Sequence, residues 1–102
     1  MQIQGDYQGR VLYMRLCGEM DEHNAAEARR VADRLVDNFA CGERAVIDLG
    51  GVSFMDSTGI GFLIGRYKNF SKFGLPVYIT NPNRETDKIL TLGGIYALIP
   101  RL

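Results

Sequence analysis

The spacing of hydrophobic residues changes several times along this chain, and this succession of patterns is the strongest constraint on its fold. In residues 10–17, Leu12, Met14 and Leu16 occupy every second position, and residues 2–7 precede them across Gln8-Gly9. Alternation on both sides of a turn that contains glycine predicts two antiparallel strands. From Asn24 to Phe39 the apolar residues recur instead at helical spacing, which predicts a first helix. We expect Asn24 and Glu27 to form a capping box at its start.

Strands and helices alternate through the rest of the chain. The run Ala45-Val46-Ile47 predicts a central strand that is covered on both faces. A second helix is expected over residues 57–73, a strand over 75–80, a third helix from 81–83 to the glycines at 93–94, and a last strand over 96–99. The order β-β-α-β-α-β-α-β predicts a single α/β domain spanning 1–102, with a mixed sheet on which the helices pack.

Composition excludes several classes of function. The 102 residues carry twelve Lys and Arg against twelve Asp and Glu, so the net charge is zero and gives no general attraction to nucleic acid or to an anionic membrane. No apolar stretch approaches the roughly 20 residues that a membrane helix requires, and the start of the sequence lacks the pattern of a signal peptide. These features predict a cytoplasmic protein that binds proteins or small molecules.

Few residues are suited to bind a metal. His23 is the single histidine, and Cys17 and Cys41 are the two cysteines, so a Cys/His zinc site cannot be assembled within one chain. The spacing of the cysteines permits a disulfide, but without a secretory signal we expect both to be reduced, small apolar residues. No metal or cofactor is predicted.

The entrance of the second helix carries a hydroxyl side chain. Asp56 or Ser57 can serve as the N-cap, because a helix start leaves backbone N–H groups unpaired. Ser57 can also be an exposed site where a phosphate is tolerated, since a helix start also carries positive partial charge. The two interpretations are compatible.

Three glycines, Gly59, Gly61 and Gly65, interrupt the same helix, although each costs about 1 kcal/mol relative to alanine. A helical wheel places Ile60, Leu63, Ile64, Tyr67 and Phe70 toward the core and the glycines on the outer face, together with Phe62. Small residues let a partner approach closely, and an outward Phe62 is a candidate apolar anchor. The alternative is that a neighbouring loop partly covers Phe62.

The sequence gives little support for an enzymatic active site. Gly is absent two positions before Ser57, so this is no nucleophile elbow, and His23 lies at the entrance of another helix. The glycine spacing matches neither a dinucleotide-binding loop nor a P-loop. The sequence therefore predicts no enzyme and no catalytic residue.

Two segments resemble the STAS-domain family, specifically the small bacterial anti-sigma factor antagonists of the sporulation and stress-response type. Residues 54–61, FMDSTGIG, resemble the signature around the phosphorylated serine, and residues 16–21, LCGEMD, resemble the Gly-Glu-Leu-Asp that leads into the first helix. The resemblance covers nearly the whole chain. It implies partner contacts at the positions that match the family's motifs, which are Asp21, Asp56, Ser57, Thr58 and Gly59.

The resemblance implies a binding protein that is switched by phosphorylation in transcription regulation. The unmodified form would bind an anti-sigma factor that is also a serine kinase and thereby release a sigma factor. The kinase would phosphorylate Ser57, and a PP2C-type phosphatase would reverse this. The alternatives from other classes are a STAS scaffold or transporter-type module without the switch, and a serine hydrolase. The intact sequence of residues 56–59 favours the antagonist.

Overall fold

The computed structural model describes residues 1–39 and 42–102, so the prediction for Cys41 lies outside it. Cys17 is a free, half-buried cysteine. Within the described residues, four strands, three α-helices and one 3₁₀ turn follow in this order: β1 (Gln2–Gln8), β2 (Val11–Met20), α1 (Ala25–Asp37), β3 (Arg44–Met55), α2 (Ser57–Lys72), β4 (Val77–Thr80), α3 (Arg84–Leu92) and the turn Ile95–Ala97.

The strands form one mixed sheet in the order β1-β2-β3-β4. β1 and β2 are an antiparallel hairpin that turns at Gly9, which adopts a positive φ of 62°. β2 pairs with β3, and β3 with β4, in parallel. The predicted mixed sheet with helices packed on it is confirmed. Parallel pairing places the carboxyl ends of β2 and β3 at one edge of the sheet.

The core lies between the helices and one face of the sheet. Met14, Ile47 and Ile79 stand side by side on β2, β3 and β4 and are completely buried. They belong to one hydrophobic cluster with residues from all three helices, among them Ala32 and Leu63. Because side chains alternate along a strand, the intervening residues point to the other face of the sheet.

Val46 is buried on that opposite face. It lies in register with Tyr13 on β2 and Tyr78 on β4. The run Ala45-Val46-Ile47 is therefore apolar throughout because two of its members contact the helix side and Val46 lies between two aromatic neighbours. The expectation of a strand buried on both faces is confirmed at this position.

The predicted last strand over 96–99 is wrong. Gly94, with φ 70°, starts the 3₁₀ turn, and the amide of Ile99 donates to the carbonyl of Ile95 at 2.8 Å. The turn buries Ile95 and Ile99 and leaves Ala97 exposed, whereas a strand would place all three residues on the same face. Strand-like pairing comes later, as a single parallel bridge between Ile79 and Arg101.

Within residues 1–39 and 42–102, no helix has both the length and the apolar character needed to cross a membrane. The same part of the chain contains no group of three or more His, Cys, Asp or Glu side chains placed to hold a metal ion.

Candidate functional site

The carboxyl edge of the sheet brings two aspartates together with two helix entrances. β2 and β3 end at Met20 and Met55, which are register partners and both buried. Asp21 follows the first methionine and Asp56 the second, and each precedes the entrance of a helix. Residues from two distant parts of the sequence thus meet at one edge.

Asp56 is the N-cap of α2. Its backbone is extended, and its Oδ1 accepts a hydrogen bond from the amide of Thr58 at 2.8 Å. Its carbonyl oxygen accepts from the amides of Gly59 at 3.0 Å and Ile60 at 3.4 Å. Of the two capping candidates, Asp56 takes the role, because its side chain satisfies an amide that the helix leaves unpaired. Ser57 is then the first helical residue, and its side chain is exposed.

Asp21 organises the entrance of α1 in a different way. Its Oδ1 accepts from the amides of His23 at 2.9 Å and Asn24 at 3.3 Å. Its carbonyl oxygen accepts from the amide of Ala25 at 3.1 Å. The aspartate therefore holds a turn between β2 and α1, and the half-buried carboxylate is engaged by backbone amides.

The capping box predicted from Asn24 and Glu27 is wrong. The Asn24 side chain makes no cap hydrogen bond; its Oδ1 accepts from the amide of Asp21 at 3.2 Å, and its Nδ2 donates to the carbonyl of Glu19 at 2.8 Å. Glu27 pairs with Arg30 instead, and this contact lowers the pKa of the Glu27 carboxyl. The physical reason is that the backbone of Asn24 is already helical, so the chain turns earlier, at Asp21.

Two of the three glycines of α2 lie on an open outer surface. A Cβ atom at Gly61 or Gly65 would meet nothing within 4 Å. We call these two glycines, with Ser57, the outer ridge of α2. The prediction that Gly61 and Gly65 lie on the outer face is confirmed.

Gly59 differs from the other two and does not lie on the outer face. It is buried, and a Cβ atom there would lie 2.2 Å from Cγ of Met55. A glycine at this position lets the first turn of α2 pack directly on the end of β3.

The predicted outward position of Phe62 is wrong. Phe62 is 2% exposed and points into the core with Gly59, Leu63, Arg66 and Phe70. Ile60, Ile64 and Tyr67, which the wheel placed on the core side, are half-buried at the margin of the inner face. The inner face is thus rotated toward Phe62, and the reason is that a buried arginine occupies part of it. Phe62 is not accessible as an anchor.

Arg66 was not anticipated as a buried residue. Its Nη2 lies 3.1 Å from Oδ1 of Asp33 on α1, and its guanidinium carbon lies 4.7 Å from the ring centroid of Phe62. Asn69 also donates to Asp33. Burial lowers the pKa of Arg66, whereas Asp33 raises it. These contacts fix α2 against α1, and they engage an Asp33 side chain that is itself 47% exposed.

Two exposed apolar side chains at this end of the molecule were also missed. Phe54 is 49% exposed, two residues before the N-cap of α2. Leu92 is 80% exposed at the end of α3, next to Gly93, whose Cβ position lies 3.2 Å from Cδ1 of Ile60. The sequence signal for Phe54 was its position between Ser53 and Met55 at the end of a predicted link, where strand alternation places it opposite the buried Met55.

The sequence of this chain is similar to those of known proteins. A family model described as STAS domain matches residues 2–102. The chain is 31% identical over 100 residues to the anti-sigma F factor antagonist of Paenibacillus polymyxa, an alignment that covers 98% of this chain and 85% of the relative.

Two solved structures share the fold. The unphosphorylated anti-sigma factor antagonist SpoIIAA matches with a TM-score of 0.80 and 22% identity, over 99% of this chain and 88% of the other. The Bacillus cell fate determinant SpoIIAA in its phosphorylated form matches with a TM-score of 0.71 and 22% identity, over 99% and 91%.

Proposed function

Because the chain belongs to the STAS domain family, we propose that it is an anti-sigma factor antagonist whose binding is switched by phosphorylation of Ser57. The observation that carries this proposal is that Asp56 and Ser57 have different roles at the entrance of α2. Asp56 satisfies the helix amide, so the Ser57 side chain is exposed and is not required for capping. A hydroxyl in this position is accessible to a kinase without disturbing the fold.

The unmodified surface suits a protein partner. Gly61 lies one turn beyond Ser57, and its open surroundings let a partner backbone approach the helix closely. Phe54 and Leu92 are exposed apolar side chains of the size that anchors protein interfaces. In the proposed complex they take the anchoring role that the buried Phe62 cannot have, and the outer ridge of α2 also contacts the partner.

Phosphorylation would remove this complementarity. A phosphate adds about −1.5 to −2 charges and three acceptor oxygens at pH 7. It would stand at the start of the outer ridge, beside the carboxylate of Asp56. A partner surface shaped for small, uncharged residues would then face a large dianion that it cannot solvate, and binding would be lost. An anti-sigma factor with serine kinase activity supplies both the docking partner and the modification, and a PP2C-type phosphatase restores the binding form.

The proposal is tested with the candidate anti-sigma factor kinase encoded in the same genome. Incubation with ATP followed by phosphopeptide mapping should place the phosphate on Ser57, and Ser57→Ala should abolish incorporation. Thr58→Ala is the matched control, because its hydroxyl is the next along the chain, and it should still be phosphorylated.

Calorimetric titration with the same kinase completes the test. Wild type and Ser57→Ala should bind, whereas the phosphorylated protein should bind at least tenfold more weakly, a difference of about 1.4 kcal/mol. Equal affinity of the modified and unmodified proteins, or phosphate on Thr58, would contradict the proposal.

A further inference from the structure

We infer that a phosphate on Ser57 and the carboxylate of Asp56 compete for the same end of α2, so that phosphorylation weakens the N-cap as well as blocking the partner. This inference rests on the proposed modification of Ser57. It concerns what the modification does to the domain itself.

The hydrogen bonds at the helix entrance provide the first argument. The amide of Thr58 is taken by Oδ1 of Asp56, and the amides of Gly59 and Ile60 are taken by its carbonyl oxygen. A helix start normally offers unpaired amides to an anion. At this entrance the carboxylate of Asp56 takes the amide of Thr58, and its carbonyl takes the amide of Gly59 in addition to the ordinary first helical bond from Ile60. A phosphate on Ser57 can therefore reach the Thr58 amide only by displacing the carboxylate.

Charge provides the second argument. Ser57 and Asp56 are neighbours, so a dianionic phosphate would lie roughly 6 Å from a carboxylate that is itself half-buried. Two negative charges facing one at that distance in water change an equilibrium by up to about tenfold before salt screening. The helix dipole attracts each group separately, but it cannot hold both at the single Thr58 amide. The stabilisation that the helix N-terminus gives to the Asp56 carboxylate is therefore reduced by the phosphate, and the reverse also holds.

Weakening of the N-cap also affects the outer ridge of α2, which is the docking surface of the proposed complex. Asp56 sets the position of the first turn, and Gly61 follows one turn later on the outer ridge. Once the cap is weakened, the start of the ridge is held less firmly. The modified form would then differ from the unmodified one in the stability of its helix entrance in addition to its charge.

A double-mutant cycle tests this without any kinase. Phosphoserine is installed at position 57 during synthesis, and urea unfolding is measured for wild type and Asp56→Asn, each with serine and with phosphoserine. Asparagine keeps the capping ability of aspartate without its charge. We expect Asp56→Asn to be nearly neutral or slightly destabilising with serine and clearly stabilising with phosphoserine. The unfolding constant should differ between the two contexts several-fold, up to about tenfold.

Asp37→Asn is the matched control, because it removes one exposed negative charge at the last residue of α1, away from the entrance of α2. Its effect should be the same with serine and with phosphoserine. The several-fold coupling at Asp56 should shrink in 1 M salt.

Equal effects of Asp56→Asn in the two contexts, or the same coupling for Asp37→Asn, would overturn the inference. Because the phosphate is installed chemically, such a failure leaves the proposed function standing. Conversely, a kinase that ignores Ser57 would refute the proposed function without touching the coupling.

Discussion

The two strand-to-helix junctions at the carboxyl edge of the sheet begin alike and end differently. Both start with a buried methionine on a parallel strand followed by an aspartate that binds backbone amides. After Asp21, three residues form a turn before α1 begins at Ala25, whereas α2 begins directly after Asp56. The length of this turn decides which side chain stands at the helix entrance.

At the first junction the polar side chains of the turn form hydrogen bonds to its own backbone. Asn24 bonds to both Asp21 and Glu19, and the resulting loop closes on itself. At the second junction no turn intervenes, so Ser57 is displayed at the first helical position. The comparison teaches that a capping aspartate displays the next side chain at a helix entrance only where the helix begins directly after the cap, as it does at Ser57.

The inner faces of the two helices also differ. α1 contacts the core through small residues, Ala25, Ala28, Ala32 and Val36. α2 buries Phe62, Leu63 and Phe70, with Arg66 reaching across to Asp33. The helix that displays the candidate site is therefore held by large side chains from beneath, which leaves its outer ridge free to remain small.

The largest effect is expected from Phe62→Ala. Removing this buried ring should lower the free energy of unfolding by about 3–5 kcal/mol, because it leaves a cavity under α2 and exposes the Arg66 guanidinium to it. Urea denaturation measures the change. Phe54→Ala is the matched control, since its ring is half exposed and its loss should cost much less. Equal losses for the two phenylalanines would place Phe62 on the surface after all.

The next effect separates the glycines of α2. Gly59→Ala should destabilise the domain by on the order of 1–3 kcal/mol, because the new methyl group would collide with Met55. Gly61→Ala should be neutral or stabilising, since its surroundings are open and alanine favours the helix by up to about 1 kcal/mol. Thermal melts of both variants make the comparison. If both stabilise, Gly59 does not set the approach of the helix to β3.

A smaller effect compares the two aspartates. Asp56→Ala should cost about 0.5–2 kcal/mol, the usual range for an N-cap, and Asp21→Ala should cost a similar amount through the turn it holds. Chemical denaturation of both variants, with Glu27→Ala alongside, tests the assignment. A loss at Glu27 as large as that at Asp21 would restore the capping box that the structure lacks.

The smallest change in stability is expected at Gly65. Gly65→Ala should leave the domain unchanged or raise its free energy of unfolding by up to about 1 kcal/mol. Affinity for the proposed anti-sigma partner should nevertheless fall, because a methyl group would project from the outer ridge. Calorimetric titration should therefore show weaker binding while melting shows no loss of stability. Normal binding by this variant would place the docking surface elsewhere.

The sequence by itself determined the parts of this protein that depend on local pattern. Alternation and helical spacing located α1, α2 and the β1–β2 hairpin, and the residues at 81–83 and 93–94 located α3. The sequence also indicated a cap at the entrance of α2, although it did not choose between Asp56 and Ser57. These features follow from backbone geometry and from amides within a few residues, so neighbouring side chains suffice to specify them.

Tertiary structure alone decided which face of α2 is buried and where the last strand-like pairing falls. Arg66 is charged, and its burial depends on Asp33, which lies 33 residues earlier on another helix. A wheel that sorts residues by polarity must place such an arginine outside and thereby rotates Phe62 outward. The reason is physical: the free energy of burying a charge is set by the partner that packing brings to it, and that partner is not a sequence neighbour.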